Sequence, residues 1–244
     1  MQEAIKVKGL AKSYGKLLAL ENINLSVKGG TALGLLGANG AGKSTAVECI
    51  LGTKRADRGR VSILGMDPHR DRKRLFERVG VQFQEGRCQE GITVGELCAL
   101  TASLYQKPVD PADLLAQFGL GGRQKSPVKE LSGGQRQRLF VVLALLPNPE
   151  VVFLDELTTG LDTEARRGVW AALSERKKKG LTIFLTSHFM DEVEALCDQI
   201  CILKRGRTVF CGTAADAVAG SPCDTLEDAY LWYTSEGRDS RESV

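Results

Sequence analysis

No apolar run in this chain approaches the roughly 20 residues that a membrane-spanning helix needs. The N-terminus also lacks the apolar core of a signal peptide. A soluble protein is therefore expected, reaching a membrane only through a partner. Histidine is scarce, with His69 and His188 alone. The seven cysteines are scattered without a C-x-x-C pair, so no zinc set is evident. They are expected as small buried hydrophobes in a reducing compartment. Neither sign of charge dominates. Lys and Arg number 33 against 30 Asp and Glu, a net charge of +3, and nothing in that balance demands nucleic acid. Internal repeats and low-complexity tracts are absent too. What is present is ordinary globular usage, 43% hydrophobic and 26% charged over 244 residues. That length suits one large α/β domain, or a main domain with a subdomain, and its core needs no covalent staples.

The chain is organised around Gly37 to Thr45, GANGAGKST. It fits G-x-x-x-x-G-K-[ST], the phosphate-binding P-loop. Gly37, Gly40 and Gly42 allow a tight turn and a close backbone approach, so that successive N–H groups, those of Asn39 and Ala41 among them, can face a phosphate. Lys43 adds positive charge for the β- and γ-phosphates, and Ser44, next to Thr45, offers a hydroxyl to Mg²⁺. An apolar strand-like run, Thr31 to Leu36, precedes the motif, and a helix-like run, Lys43 to Leu51, follows it. The phosphate would therefore meet a helix N-terminus.

Around this motif the pattern alternates. Ala4 to Ser13 and Ile23 to Val27 read as short strands, an antiparallel piece beside the nucleotide core. Tyr14 ends the first of them, in a position for packing or for stacking on a base. Arg60 to Leu64 and Val79 to Phe83 are further strands. Gln84 follows the second, either as a cap or as a group that orients water or binds metal. From Val94 to about Pro149 the chain turns helical. Thr93 and Glu96 form a capping box, Asp110-Pro111 opens a helix, and Leu131-Ser132-Gly133-Gly134-Gln135 precedes another.

Val151 to Leu154 is wholly apolar, the mark of a central parallel strand, and it ends in Asp155-Glu156. Ligands of open α/β sheets bind at the carboxyl ends of strands. Asp155 is thus expected to hold Mg²⁺, and Glu156 to polarise an attacking water. Thr182 to Thr186 is a second apolar strand, with His188 just beyond its end in a structural or catalytic role. Gln199 to Leu203 and Arg207 to Cys211 bracket a hairpin turn, and Thr225 to Thr234 is a short helix.

P-loop, strand-ending Asp-Glu and LSGGQ together resemble the nucleotide-binding domain of ABC ATPases. LSGGQ is the discriminating element, and the match covers Ala4 to about Thr213 in family order. The resemblance implies an α/β fold: a P-loop NTPase core with an antiparallel β subdomain and a helical signature subdomain. It implies domain limits of 1–213, with the helical part inserted at about 86–149, and a short extension at 214–244 with a disordered end. It also implies roles. Tyr14 stacks on adenine. Gly37, Asn39, Gly40, Ala41, Gly42, Lys43, Ser44 and Thr45 bind the phosphates. Gln84 contacts Mg²⁺ and couples the site to a partner. Ser132, Gly133, Gly134 and Gln135 form the signature. Asp155 holds the metal, Glu156 is the catalytic base, and His188 contacts the γ-phosphate. One residue departs from the pattern. Leu157 stands where the family commonly has proline, which removes a fixed φ from the loop.

By the same resemblance the cofactors are ATP and Mg²⁺, and ATP joins two subunits head to tail, as a homodimer or with a paralogue. Separate transmembrane permease subunits would hold the protein on the cytoplasmic face of the membrane, with no direct nucleic-acid contact expected. Ser187 to Ile200 looks like the ATPases of ABC-2-type exporters for drugs, antibiotics or lipids. The alternatives are a soluble ABC ATPase acting on ribosomes or DNA, and an ATPase-dead binding module. Against the first, no long coiled coil separates the P-loop from the signature. Against the second, Lys43, Asp155, Glu156 and His188 are all intact.

Overall fold

A computed structural model describes residues 3–82 and 91–235. The chain divides into two units, residues 1–72 with 186–244, and residues 73–185.

In the first unit, β1 (Glu3–Tyr14) and β2 (Leu17–Lys28) form a long antiparallel hairpin, and β4 (Arg58–Ile63) pairs antiparallel with β1 on its other edge. β2 begins six residues earlier than its apolar pattern suggests. Its first residues, Leu17 and Leu18, are exposed, and Asn22 adopts a positive φ of 53°, so strict alternation starts only at Ile23. β3 (Ala32–Leu36), buried throughout, leads into α1 (Lys43–Ile50). It pairs parallel with β8 (Gln199–Lys204), which turns into the antiparallel β9 (Arg207–Gly212).

Leu36, Val193, Ile200, Ile202, Ala217 and Leu226 form an apolar cluster in this unit. α7 (Met190–Leu196), α8 (Ala214–Ala219) and α9 (Leu226–Thr234) contribute to it, and the Phe210 and Tyr233 rings meet against it with centroids 5.0 Å apart. The AADAVA segment of α8 has too few large side chains to announce a helix. Its capping box, between Thr213 and Asp216, is the stronger signal.

α2 (Arg72–Phe76) leads into the second unit, with Arg72, Lys73 and Arg74 exposed to solvent and Leu75 buried. β5 (Val79–Gln82) pairs parallel with β6 (Val151–Asp155), and β7 (Thr182–Ser187) lies on the far side of β6. β6 is buried at every residue, as a strand covered on both faces must be. Phe153 and Phe184 stack in a tilted pair, 5.1 Å between centroids. The helices are α3 (Val94–Ala102), α4 (Pro111–Gln117), α5 (Gly133–Leu145) and α6 (Thr163–Lys178). The expected capping box at Thr93 and the Asp110 cap are both formed. α5 buries Leu139, Val141, Val142, Ala144 and Leu145, more than a single apolar stripe.

α5 crosses β5 so closely that a Cβ on Gly80 would lie 1.9 Å from the carbonyl oxygen of Ala144. Backbone cannot yield as a flexible side chain can. Gly80→Ala is therefore expected to destabilise the protein by about 3 kcal/mol or more. A urea titration reads this directly, and an unchanged midpoint would contradict the contact.

Candidate functional site

The P-loop is built from the end of β3 and the start of α1. Its glycines are required by space. A Cβ on Gly37 would lie 2.8 Å from the Leu203 carbonyl oxygen, and one on Gly42 2.8 Å from that of Ala19, where φ is also 108°. The loop is braced from outside. The Gly206 N–H, in the turn between β8 and β9, donates to the Ala41 oxygen at 2.9 Å, and the Gly206 oxygen accepts from Glu21 N–H at 2.7 Å. Ala38, Asn39, Gly40 and Ser44 are exposed, while Ala41 is buried and Thr45 half-buried.

Lys43 is 7% exposed. Its ammonium donates to the carbonyls of Gly37 at 2.6 Å and Ala38 at 3.3 Å, so the side chain folds back over its own loop. Side chains of Thr93, Asp110, Ser132, Asp162, Thr213 and Thr225 cap α3, α4, α5, α6, α8 and α9. α1, begun at Gly42, and the shorter α7, begun at Phe189, have no side-chain cap. The first N–H groups of α1 have no intrahelical acceptor and carry the positive end of the helix dipole. A bound anion is the cap that fits there.

Two other predicted residues lie in the same unit. Tyr14 is 41% exposed at the β1–β2 turn. The ammonium groups of Lys12 and Lys54 each stand 5.5 Å from its ring centroid. Lys54 also pairs with Glu48 at 2.8 Å, and Glu48 together with the Tyr14 hydroxyl raises its pKa. His188 is exposed just past β7, its ring 4.1 Å from that of Phe189. Ser187 Oγ accepts from the Phe189 N–H at 3.0 Å, which fixes the turn beneath it.

The remaining described residues of the predicted site lie in the second unit. Asp155 closes β6 and is 9% exposed. Its carbonyl accepts from Gln82 Nε2 at 3.2 Å. Glu156 follows, half-buried, with φ at 50°. That positive φ turns the chain sharply where the strand ends. Gln137 of α5 holds the turn, its Nε2 donating to the Glu156 oxygen at 3.1 Å and the Leu157 oxygen at 3.0 Å. Leu157, in place of the proline, is fully buried. A buried side chain and two side-chain hydrogen bonds thus restrain the loop that proline would have stiffened. In the LSGGQ segment, Ser132 Oγ accepts from Gln135 N–H at 3.2 Å, and Gln135 Oε1 accepts from Ser132 N–H at 3.1 Å. A Cβ on Gly134 would lie 3.1 Å from Leu161, so the signature abuts the loop that carries Glu156. Gly133 faces open space.

The structure thus gathers Tyr14, the P-loop and His188 in one unit, and LSGGQ, Asp155 and Glu156 in the other. Gln84 lies outside the described residues. Sequence reasoning missed Gln82 and Gln137, the two amides that hold the backbone of the acidic pair. The available signal was polarity out of place, with Gln82 only 2% exposed at the end of an apolar strand.

Comparison with known proteins identifies the family. The profile of the ABC transporter family matches residues 20–159. The chain is 36% identical over 231 residues to the Nod factor export ATP-binding protein I of Ralstonia nicotianae, covering 91% of this chain and 71% of that protein. Among solved structures, an ATP-binding subunit of an ABC transporter superposes with a TM-score of 0.87 at 29% identity, covering 95% of this chain and 100% of the other. A dimeric post-hydrolysis state of the ATP-binding cassette MJ0796, bound to ADP and Pi, superposes with a TM-score of 0.78 at 25% identity, covering 86% and 98%.

Proposed function

The chain belongs to the ABC transporter family as an ATP-binding and ATP-hydrolysing chain, and from that premise we propose that it powers export through separate membrane subunits by closing on a second ATP-binding chain. The observation that carries the assignment of its site is the uncapped N-terminus of α1 behind a glycine loop with a buried lysine. The Gly37–Thr45 backbone and Lys43 bind the phosphates, and Tyr14 stacks on the base. Ser44 and Asp155 would hold Mg²⁺, and Gln84 would be a further contact. Among the described residues no group of three or more His, Cys, Asp or Glu side chains is placed to hold a metal alone. That fits an ion which keeps several waters and takes ligands from phosphate. When bound, Mg²⁺ neutralises charge developing on the phosphate oxygens. Glu156 accepts a proton from the attacking water, and His188 steadies the γ-phosphate end of the site.

The signature completes the site of a second copy. Ser132, Gly133, Gly134 and Gln135 open α5 and present a hydroxyl and helix N–H groups to an anion. The dimeric cassette among the structural neighbours supports this arrangement. ATP is then a ligand with higher affinity for the closed dimer than for the open one, and its loss on hydrolysis reopens the pair. We assign residues 1–213 to the cassette, with the helical part at about 86–149, and 214–244 to a C-terminal extension. The exposed Leu100 of α3 and Leu104 just past its end suit the helical part to docking a membrane subunit. Among the described residues no helix is long and apolar enough to cross a membrane. A separate transmembrane permease supplies the spans, holds this chain on the cytoplasmic face and selects the cargo.

The test is purification from native membranes in mild detergent, followed by ATPase assay with and without Mg²⁺. A polytopic membrane protein in near-equal amount and Mg²⁺-dependent hydrolysis are expected. Recovery with ribosomes or DNA factors alone would overturn the transport reading.

A further inference from the structure

β8 and β9 place two of the scattered cysteines opposite each other. Cys201 and Cys211 are directly paired in the antiparallel register. Residues so paired have Cα atoms about 4.5–5.5 Å apart, inside the range that a disulfide spans. Ile200, Ile202 and Phe210 belong to the apolar cluster, and Cys201 and Cys211 do not. The neighbouring Cys201 thiol draws the Cys211 pKa down to about 7, while Cys211 and burial raise that of Cys201 well above its ordinary value. Cys201 Sγ lies 3.8 Å from Thr208 Oγ1. Cys201 is fully buried and Cys211 is exposed, so one thiol is open to a reagent and the other waits behind it. Cys98 has the opposite setting, buried with its thiol pushed up to about 11.

The hairpin is not remote from the nucleotide site. Its turn residue Gly206 donates to Ala41 in the P-loop, and Leu203 of β8 fills the space beside Gly37.

We propose that Cys201 and Cys211 are a redox-modification site, at which a hydroperoxide closes a reversible disulfide across the β8–β9 hairpin, and that the closure alters nucleotide binding at the P-loop. The Cys211 thiolate attacks one peroxide oxygen. The O–O bond breaks, Cys211 becomes a sulfenic acid, and the other oxygen leaves as water or alcohol after taking a proton. Cys201 sulfur then displaces the hydroxyl from Cys211, the S–S bond forms, and the Cys201 proton leaves with the hydroxyl as water. Two thiols lose two electrons and the peroxide gains them. A dithiol reductant restores both thiols.

The experiment treats the reduced, purified full chain with hydrogen peroxide, blocks free thiols by alkylation, and maps the cross-linked peptides by fragment sequencing. A Cys201–Cys211 disulfide is expected. It should persist in Cys197→Ala and Cys223→Ala and vanish with dithiothreitol. In Cys201→Ala, the Cys211 sulfenic acid should accumulate and be trapped by a 1,3-dione. At neutral pH, Cys211 should alkylate about tenfold faster than Cys223. No such cross-link, with Cys211 no more reactive than Cys223, overturns the proposal in the unmodified chain, whatever the variants do. The coupling has its own reading. Oxidation should shift the affinity for a fluorescent ATP analogue by about fivefold or more, reversibly. An unchanged affinity overturns the coupling. This arm rests on the ATP-binding reading. A reduced protein that binds no analogue would contradict that reading and leave the thiol map standing.

Discussion

A Glu156→Gln protein is expected to bind ATP normally and to hydrolyse it about 10²–10⁴-fold more slowly, the range that a positioned general base contributes. Glutamine keeps the shape of the side chain and removes the charge that accepts a proton. The backbone should hold, because the turn at Glu156 is fixed through carbonyls that Gln137 reaches and through the burial of Leu157. Blocked hydrolysis with intact binding leaves the closed state populated. Size-exclusion chromatography with Mg²⁺ and ATP should then show a dimer that the unaltered protein forms only in passing. Single-turnover kinetics measure the chemical step. A rate equal to that of the unaltered protein would remove Glu156 from the role of base.

Lys43→Ala should act on the other axis, on binding. A hydrogen bond to a charged group contributes about 1.5–3 kcal/mol, so ATP affinity should fall by about 10- to 100-fold. The Lys43 ammonium also donates to Gly37 and Ala38 within its own loop. Its removal therefore loosens the cradle as well as removing the counter-charge. Isothermal titration with ATP reads the first effect, and thermal unfolding of the nucleotide-free protein reads the second. An affinity unchanged by the substitution would overturn the P-loop assignment. The two variants together separate holding the phosphates from attacking them.

Local chemistry was the legible part of this chain. A helix cap needs only a side chain and an N–H two or three residues away, so Thr93 with Glu96 and Asp110 before Pro111 could be read in advance. The acid pair was legible for a similar reason, since a wholly apolar strand that stops at two carboxylates announces its burial and its end together. α8 was missed because AADAVA buries little and its cap sits beside a strand. The first half of β2 was missed because Leu17 and Leu18 face solvent there, against the pattern that apolar alternation assumes.

The sequence by itself determined the local chemistry: which glycines allow a tight loop, which lysine stands at its end, and which carboxylates end a buried strand. These depend on residue type and short spacing, and both survive in one dimension. Tertiary structure alone decided which distant groups hold that chemistry in place. Gln137 reaches the Glu156 turn from another element, Gly206 braces Ala41 across most of the chain's length, and Cys211 stands opposite Cys201 in the register of β8 and β9. Hydrogen bonds and pKa shifts of this kind are set by distances of a few ångströms between residues far apart in the chain, and only the folded register brings them within that range.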